Sequence, residues 1–575
     1  LRVAELLSKR LGVPTGYTVA VRKVESFSPG NIHIQYSSVN KKKKEAYELK
    51  VNDSEILLSA DSAAGIFYGV QTLIQLFPKQ VESKKEIKDF AWTVPAVSIE
   101  DSPRFWWRGS MLDVARHFFT KQQVKEFIDN MVKYKFNVLH LHLADDQGWR
   151  LEIKSLPKLT DVGAWRPERK GKWGNTPRPS PNEPKTYGGF YTQEDMKELI
   201  AYAKDRFVEI LPEIDVPGHS LAAIASYPEL SCTDSFYQVN IGDKIIDWSQ
   251  KGFPSLLDNT LCPANEKVYV FLDKVFTEVA ELFPFGYIHM GGDETSKNFW
   301  MKSPQIKSLM KEKGFTTMSE VFGYFVGRTA KIVQSKGKKV IGWDEATDAT
   351  LPEGMIIMDW KGLKGGSKAA KQGHQVVMSP TTFAYYDLYQ GDPVAEPPTY
   401  SMLRLSQSYK FDPLPEGVDE KLILGGQGNI WTEQIQNVRA LQYMMYPRVF
   451  AIAESVWSQQ RSKDWKTFIK KVENEFERMD VAEIKYSRSM YDPIFKSYTD
   501  GDNLILDMQT EIEDLKIHYS FDGSFPDNFY PEYTKPLIIP KDVADVRVIT
   551  YRNGKQTGKL ITMPVSELQK RAKKK

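Results

Sequence analysis

Between Arg108 and about Trp457, short apolar runs alternate with amphipathic helical patterns, and this alternation constrains the fold more than any other feature of the sequence. The runs fall at 108–116, 137–144, 207–214, 286–292, 339–343, 355–360, 375–379 and 422–428. Helical periodicity fills most gaps, notably 121–134, 193–204, 265–282, 318–335 and 366–372. Strands that recur with helices between them must run parallel, and eight such units in roughly 350 residues predict a (β/α)8 barrel with insertions. Chemistry is then expected where the strands end. The longest insertion, Gln147 to Phe190, follows the second strand and is rich in Pro, Gly and Trp, as a wall or lid would be.

Two smaller units flank the barrel. Residues 1–100 read as an α+β domain: an amphipathic start, strand-like runs at Tyr17–Val24, Ile32–Tyr36, Tyr47–Val51 and Ile56–Ser59, and a helix from Ser62 to about Leu76. The Lys41–Lys44 run reads as a solvated hairpin tip, and Lys79–Asp89 as a linker. The barrel unit spans 101–488. Residues 489–575 look β-rich, with Ile517–Phe521, an Asp522-Gly523 turn signal and Val546–Tyr551 predicting a small antiparallel β-sandwich, and Lys570–Lys575 a frayed basic tail. The expected class is therefore α/β, a TIM barrel with an N-terminal α+β domain and a C-terminal β-sandwich.

Charge narrows the function. The chain carries 77 Lys+Arg against 74 Asp+Glu, a net +3, which excludes a strongly basic nucleic-acid binder. Nothing in it reaches the ~18 apolar residues needed to span a bilayer. Aromatics make up 12% of the residues, including 13 Trp, an excess suited to stacking against flat ligands such as sugar rings. Cys232 and Cys262 are too few for a zinc site or a disulfide framework, but a single bridge is open to them. Because the sequence starts with Leu inside a helical pattern, a preceding region that held an export signal is expected to have been lost.

The sharpest local signal is Tyr287-Ile288-His289-Met290-Gly291-Gly292-Asp293-Glu294-Thr295, an apolar strand that ends in two glycines and two adjacent carboxylates. Other strand ends present Asp113 and Arg116-His117, His140-x-His142 with Asp145-Asp146, and Glu213-x-Asp215 with Pro217-Gly218-His219. Five of the 8 histidines lie at these ends. Asp113, His117, His140 and His142 read as braces for strand ends, while His289 suits either a bracing or a chemical role. Aromatics crowd the later ends: Trp343, Trp360, Tyr385, Tyr386 and Trp431. Such an inventory suits a sugar.

Glycoside hydrolysis commonly uses two carboxyl groups on opposite faces of one bond. Neighbouring side chains at a strand end diverge, so Asp293 and Glu294 need another arrangement. An acetamido sugar supplies one, because its own carbonyl oxygen can attack the anomeric carbon. The protein then provides an acid, Glu294, and a carboxylate, Asp293, that holds the amide N–H.

These motifs, with Arg108-Gly109, Gly65-Ile66-Phe67-Tyr68-Gly69-Val70-Gln71-Thr72-Leu73 and Gln427-Gly428-Asn429-Ile430-Trp431-Thr432-Glu433, make the chain resemble family 20 glycoside hydrolases, the β-N-acetylhexosaminidases. The resemblance implies exo-acting removal of terminal β-linked N-acetylglucosamine or N-acetylgalactosamine through an oxazolinium intermediate, with retention of configuration and without a cofactor or metal. It implies Glu294 as acid and then base, Asp293 as orienting carboxylate and Tyr385 as donor to the acetamido oxygen, with Tyr386 a neighbouring competitor for that part. It further implies Asp145 and His219 as a charge chain toward Glu294, and Trp343, Trp360 and Trp431 as walls. Arg116, Glu433 and Asp387 would hold sugar hydroxyls. The expected partner is an oligosaccharide or glycoconjugate, and the expected location is the periplasm, outer surface or exterior, where Cys232 and Cys262 would be bridged. Two other classes compete: a barrel metallohydrolase using His140 and His142 as ligands, and a carbohydrate-binding protein without turnover.

Overall fold

The computed structural model describes all residues except 40–42, 178, 181, 248 and 575. Its centre is a closed barrel of eight strands, Trp107–Asp113, Val138–His142, Glu209–Glu213, Tyr287–His289, Lys339–Trp343, Ile356–Asp359, Val376–Met378 and Ile423–Ile430. Every neighbouring pair runs parallel, and the last strand closes on the first through registers such as Gln427 with Gly109. These are the runs that the alternation predicts, mostly trimmed at their ends, though the first begins one residue earlier and the last continues two residues further. Each is buried almost throughout, which is why they read as unbroken apolar stretches rather than as a two-residue alternation.

The outer helices carry their own start signals. Thr120, Thr192 and Thr317 each close a reciprocal capping box with the residue three positions on, starting the three helices Lys121–Val132, Gln193–Lys204 and Met318–Ser335. The insertion after the second strand is held by Arg150. Its guanidinium is fully buried and donates to the carbonyls of Val114, Ala164 and Ala115 at 3.0, 2.7 and 2.7 Å.

At the N-terminus the helix Arg2–Thr15 precedes a four-stranded sheet in the order Ile32–Tyr36, Ile56–Ala60, Tyr47–Val51, Val97–Asp101. Helix Ala63–Leu76 packs on it closely: a Cβ at Gly69 would meet Leu58 Cδ1 at 2.3 Å. Two sequence expectations fail here. Tyr17–Val24 is not a strand; both its ends are exposed, so its alternation has no sheet face to cover. Lys79–Asp89 is not a free linker either. It begins with the 3-10 turn Lys79–Glu82, and the buried Glu82 carboxylate meets Lys133, Arg478 and Arg10. That cluster joins the first helix, the barrel and the helix Trp465–Val481. Of the Lys41–Lys44 run, Lys41 and Lys42 lie outside the described residues, and Lys43 reaches the Pro103 carbonyl at 3.2 Å.

The C-terminal strands form two sheets over a small apolar core of Leu506, Ile517, Val546, Val548 and Met563. Lys516–Ser520 pairs antiparallel with Asp545–Arg552 and not across a local Asp522-Gly523 hairpin. The predicted frayed tail is tied down: Arg571 ends a helix and binds Asp392, and Lys573–Lys574 pairs with Ile494–Asp500. Lys575 lies outside the described residues. Among the described residues no helix is long and apolar enough to cross a membrane.

Candidate active site

The carboxyl ends of the barrel strands converge on His219. Its Nδ1 lies 3.3 Å from Asp145 Oδ1, and its Nε2 lies 3.8 Å from Asp293 Oδ2 and 3.7 Å from Glu294 Oε2. Burial alone would lower the His219 pKa, but Asp145, Glu294 and Asp293 hold it well above the ordinary range. His219 and Glu294 both adopt left-handed backbone, at φ 50° and 41°. Such conformations are unfavourable for side-chain-bearing residues and concentrate at functional sites. Gly291, at φ 70°, is required by contact as well: a Cβ there would sit 1.7 Å from Asp215 Oδ1.

Arg116 closes the opposite side. It reaches Asp145 at 2.8 Å and Asp113 at 3.4 Å, and lies over the Trp431 ring at 4.8 Å. Glu433 stands close enough to feel that charge, although burial still carries its carboxyl up to about 7. Burial also lifts Asp293 to about 7, with His219 opposing and the acids around it reinforcing. One Asp293 oxygen, Oδ1, is buried with no hydrogen bond among the described residues, as is Asp387 Oδ1. An acceptor left open in this way can take a donor from a ligand.

Aromatic rings line the space. Trp343 lies 6.0 Å from Trp431, and Tyr385 lies 6.4 Å from both Trp431 and Trp360. Tyr385 faces this cluster, whereas the fully buried Tyr386 turns its ring to Gly428, where a Cβ would come within 1.9 Å of the phenol oxygen. The structure therefore brings all eleven predicted site residues around one barrel mouth, including Asp387, whose Oδ2 accepts from Tyr400 at 2.5 Å.

The sequence reading assigned no role to two residues that matter here. Glu213, wholly buried beneath the pocket, accepts from Trp343 Nε1 at 2.7 Å and meets His142 at 2.6 Å, His140 at 3.0 Å and His289 at 3.2 Å. His142 in turn reaches Asp145 at 2.9 Å, so a charged chain runs Glu213, His142, Asp145, His219. Burial opposes charge on both ends of its first link. The histidines nevertheless pull Glu213 well below the usual carboxylate range, and Glu213 and Asp145 raise His142 well above its own. Both ring nitrogens of His142 thus face carboxylates, which argues against the His-x-His ligand role. Groups such as His140, Glu213 and His289 have the spacing to hold an ion, but they bond one another. Glu345 was missed too; it accepts from Trp360 Nε1 at 3.0 Å and from the Glu294 amide at 3.4 Å. The sequence reading placed Glu213 at a strand end with Asp215, but nothing local marked it as the partner of three histidines. Asp113 and His117 do brace: Asp113 accepts the Ala115 and Thr432 amides, and His117 Nδ1 lies 2.6 Å from the Thr432 carbonyl.

The loop between the third and fourth strands is closed by a Cys232–Cys262 disulfide. It is anchored beside the site, since Asn240 donates to the Asp146 carbonyl at 2.9 Å and Asn259 to the Asp146 carboxylate at 3.1 Å.

A parallel barrel with clustered carboxylates, an imidazole and indole walls beyond its strand ends defines the class, a (β/α)8-barrel protein with a site suited to a sugar. Comparison gives the family. Residues 105–460 match the model of the glycosyl hydrolase family 20 catalytic domain, residues 2–102 that of its domain 2, and residues 506–565 an Fn3-associated model. The chain belongs to glycosyl hydrolase family 20. It is 35% identical over 545 residues to a β-hexosaminidase of Porphyromonas gingivalis, covering 93% of this chain and 66% of that one. A β-hexosaminidase of Vibrio furnissii is 39% identical over 418 residues, covering 71% and 65%. The chain thus spans about two thirds of the length of these curated relatives. The exo-β-N-acetylglucosaminidase of Vibrio harveyi, solved with N-acetylglucosamine, superposes with a TM-score of 0.72 at 33% identity, covering 84% of this chain and 73% of that one.

Proposed function

We propose that the protein is an exo-acting β-N-acetylhexosaminidase that removes terminal β-linked N-acetylglucosamine or N-acetylgalactosamine from an oligosaccharide or glycoconjugate. The observation that carries this reading is the convergence of Asp293 and Glu294 on one imidazole nitrogen, at 3.8 and 3.7 Å. Two carboxylates drawn to the same atom do not flank opposite faces of a glycosidic bond, as a separate acid and nucleophile would. The nucleophile then comes from the substrate, as the acetamido oxygen.

In this mechanism Glu294 protonates the departing oxygen while the acetamido carbonyl attacks the anomeric carbon from the other face. Asp293 accepts the amide N–H and balances the positive oxazolinium that forms, and Tyr385 donates to the acetamido oxygen. Trp343, Trp360, Tyr385 and Trp431 exclude water from the ring, while Arg116, Glu433 and Asp387 hold hydroxyls. Glu294, now a carboxylate, takes a proton from water, which opens the intermediate from the leaving-group face. The anomeric configuration is retained. His219, charged between Asp145 and the two acids, favours the ionised form of Glu294 once its proton has gone to the departing oxygen, the form that then takes a proton from water. The Cys232–Cys262 bridge supports an oxidising, exported location.

Hydrolysis of a chromogenic β-N-acetylglucosaminide tests the activity directly. Glu294→Gln should lower kcat by about 10²- to 10⁴-fold on a substrate with a poor leaving group, the usual contribution of a general acid. Products of inverted configuration, or equal rates on plain β-glucosides, would refute assistance by the substrate.

A further inference from the structure

The loop 388–404 leaves the barrel at Asp387, makes an excursion across the surface and returns to the same residue. Tyr400 donates to Asp387 Oδ2 at 2.5 Å, and Thr399 Oγ1 donates to the Asp387 carbonyl at 2.6 Å. Backbone bonds from Tyr389 to Ser401 and from Leu403 to Tyr389, at 2.8 and 2.9 Å, zip the neck. The position of Asp387 is therefore coupled to the body of the loop. That body is held from outside the barrel. Arg571, in the C-terminal domain, grips the buried Asp392 with both guanidinium nitrogens at 2.6 and 3.1 Å. Lys559, from the same domain, reaches Glu396 at 2.7 Å and Tyr443 at 2.7 Å. Arg404, at the returning end, binds Glu511 and donates to the Ser489 and Asp492 carbonyls at 3.0 and 2.9 Å.

These contacts form one mechanical path from the C-terminal sandwich to a sugar-facing carboxylate. Paired charges at its outer end are buried on the acid side, so removing a cation leaves an uncompensated carboxylate that must move toward water. The loop moves with it, and Tyr400 is the first link to Asp387.

Resting on the reading of the site proposed above, we infer that Arg571 and Lys559 are positioning residues for substrate, fixing Asp387 through loop 388–404 against the hydroxyls farthest from the anomeric carbon, those on C4 and C6. The C-terminal domain is then a working part of the sugar pocket and contributes to how the enzyme tells one hexosamine from another. Neither residue touches sugar.

The test uses full-length protein with Arg571→Ala, Lys559→Met and the double variant, assayed on the nitrophenyl β-glycosides of N-acetylglucosamine and its 4-deoxy and 6-deoxy analogues. A hydroxyl bonded to a charged group contributes enough that deleting it should cost the wild type about tenfold or more in kcat/KM. In the double variant KM should rise about tenfold while kcat stays within about twofold, and the cost of at least one deoxy substitution should shrink below about threefold. Arg571→Lys should recover part of the discrimination by restoring charge without the two-pronged grip. Loss of structure alone lowers the active fraction and leaves the ratio between substrates unchanged, so the ratio separates positioning from damage. If Arg571→Ala does not fold, Lys559→Met alone, with calorimetric titration of N-acetylglucosamine and its deoxy analogues, gives the same comparison. Wild-type discrimination in the folded variants would overturn the inference. Absence of hydrolysis of any β-N-acetylhexosaminide by the wild type would instead overturn the function on which it rests.

Discussion

Replacing Glu213 by Gln keeps the volume and removes one charge from a site with no exposure. Four groups lose a neighbouring carboxylate: Trp343 Nε1 and His142 Nδ1, hydrogen-bonded at 2.7 and 2.6 Å, and the His140 and His289 rings, in contact with the charge at 3.0 and 3.2 Å. Breaking a buried charge pair from one side costs about 3 to 5 kcal/mol, and the amide can serve only one or two of these partners. At 2–4 °C per kcal/mol in a sizeable domain, the lower figure corresponds to roughly 6–12 °C of Tm. The pH dependence is specific. Glu213 has a depressed pKa, so its contribution is present above its unfolded value near 4.3 and is lost as pH falls through its folded value. His142 has a raised pKa, so its contribution is complete below about 6.5 and is lost as pH rises through its folded value. The gap in Tm between wild type and Glu213→Gln should therefore be widest between about pH 4.5 and 6.5 and should narrow in stronger acid. Activity should fall about 10²-fold, because Trp343 and the chain through His142 to Asp145 and His219 lose their register together. Scanning calorimetry across pH, paired with kcat/KM on an aryl β-N-acetylglucosaminide, checks both parts. A variant as stable as the wild type at pH 5.5 and with full activity would show that the four contacts do not act through the charge on Glu213.

Asp293→Asn should depress kcat far more than it raises KM on acetamido sugars, since the carboxylate acts on charge that develops only as the intermediate forms. Burial raises the Asp293 pKa, so the acid limb of kcat/KM should lie above the ordinary carboxylate range in the wild type and disappear in this variant. Glu82→Gln should destabilise the protein by about 3 kcal/mol at neutral pH, the worth of a carboxyl held at about 2 by Lys133, Arg10 and Arg478 in spite of burial. That stabilisation is present above about pH 4.5 and lost as pH falls toward 2, so urea midpoints of the two proteins should converge in acid.

The barrel was legible because buried parallel strands and amphipathic helices leave opposite periodicities, and eight repetitions of that contrast survive errors at any one boundary. The N-terminal and C-terminal edges were less so. Tyr17–Val24 has the alternation of a strand and no sheet neighbour, and nothing local in a sequence says whether a partner edge exists. Lys79–Asp89 has the composition of a linker, but Glu82 meets cations from three separate parts of the chain, a match visible only once the fold has brought Arg10, Lys133 and Arg478 together.

The site divides along the same line. Asp293 with Glu294 and His219 follow strand ends with glycine or proline just before them, and Asp145 follows another, where the local pattern breaks. Glu213 is the last residue of its strand, and Glu345 comes two residues after the end of another, where an acid looks like the edge of an apolar run. Yet Glu213 decides which histidines are free to do chemistry. Its carboxylate faces His140, His142 and His289, three of the five strand-end histidines, leaving His219 as the one that meets both Asp293 and Glu294. An inventory of polar residues at a barrel mouth therefore overstates the number of reactive groups. Subtracting those that a buried counter-charge already holds is the step that requires three dimensions, and it turns a collection suited to several barrel chemistries into two adjacent carboxylates and the one imidazole that meets them both.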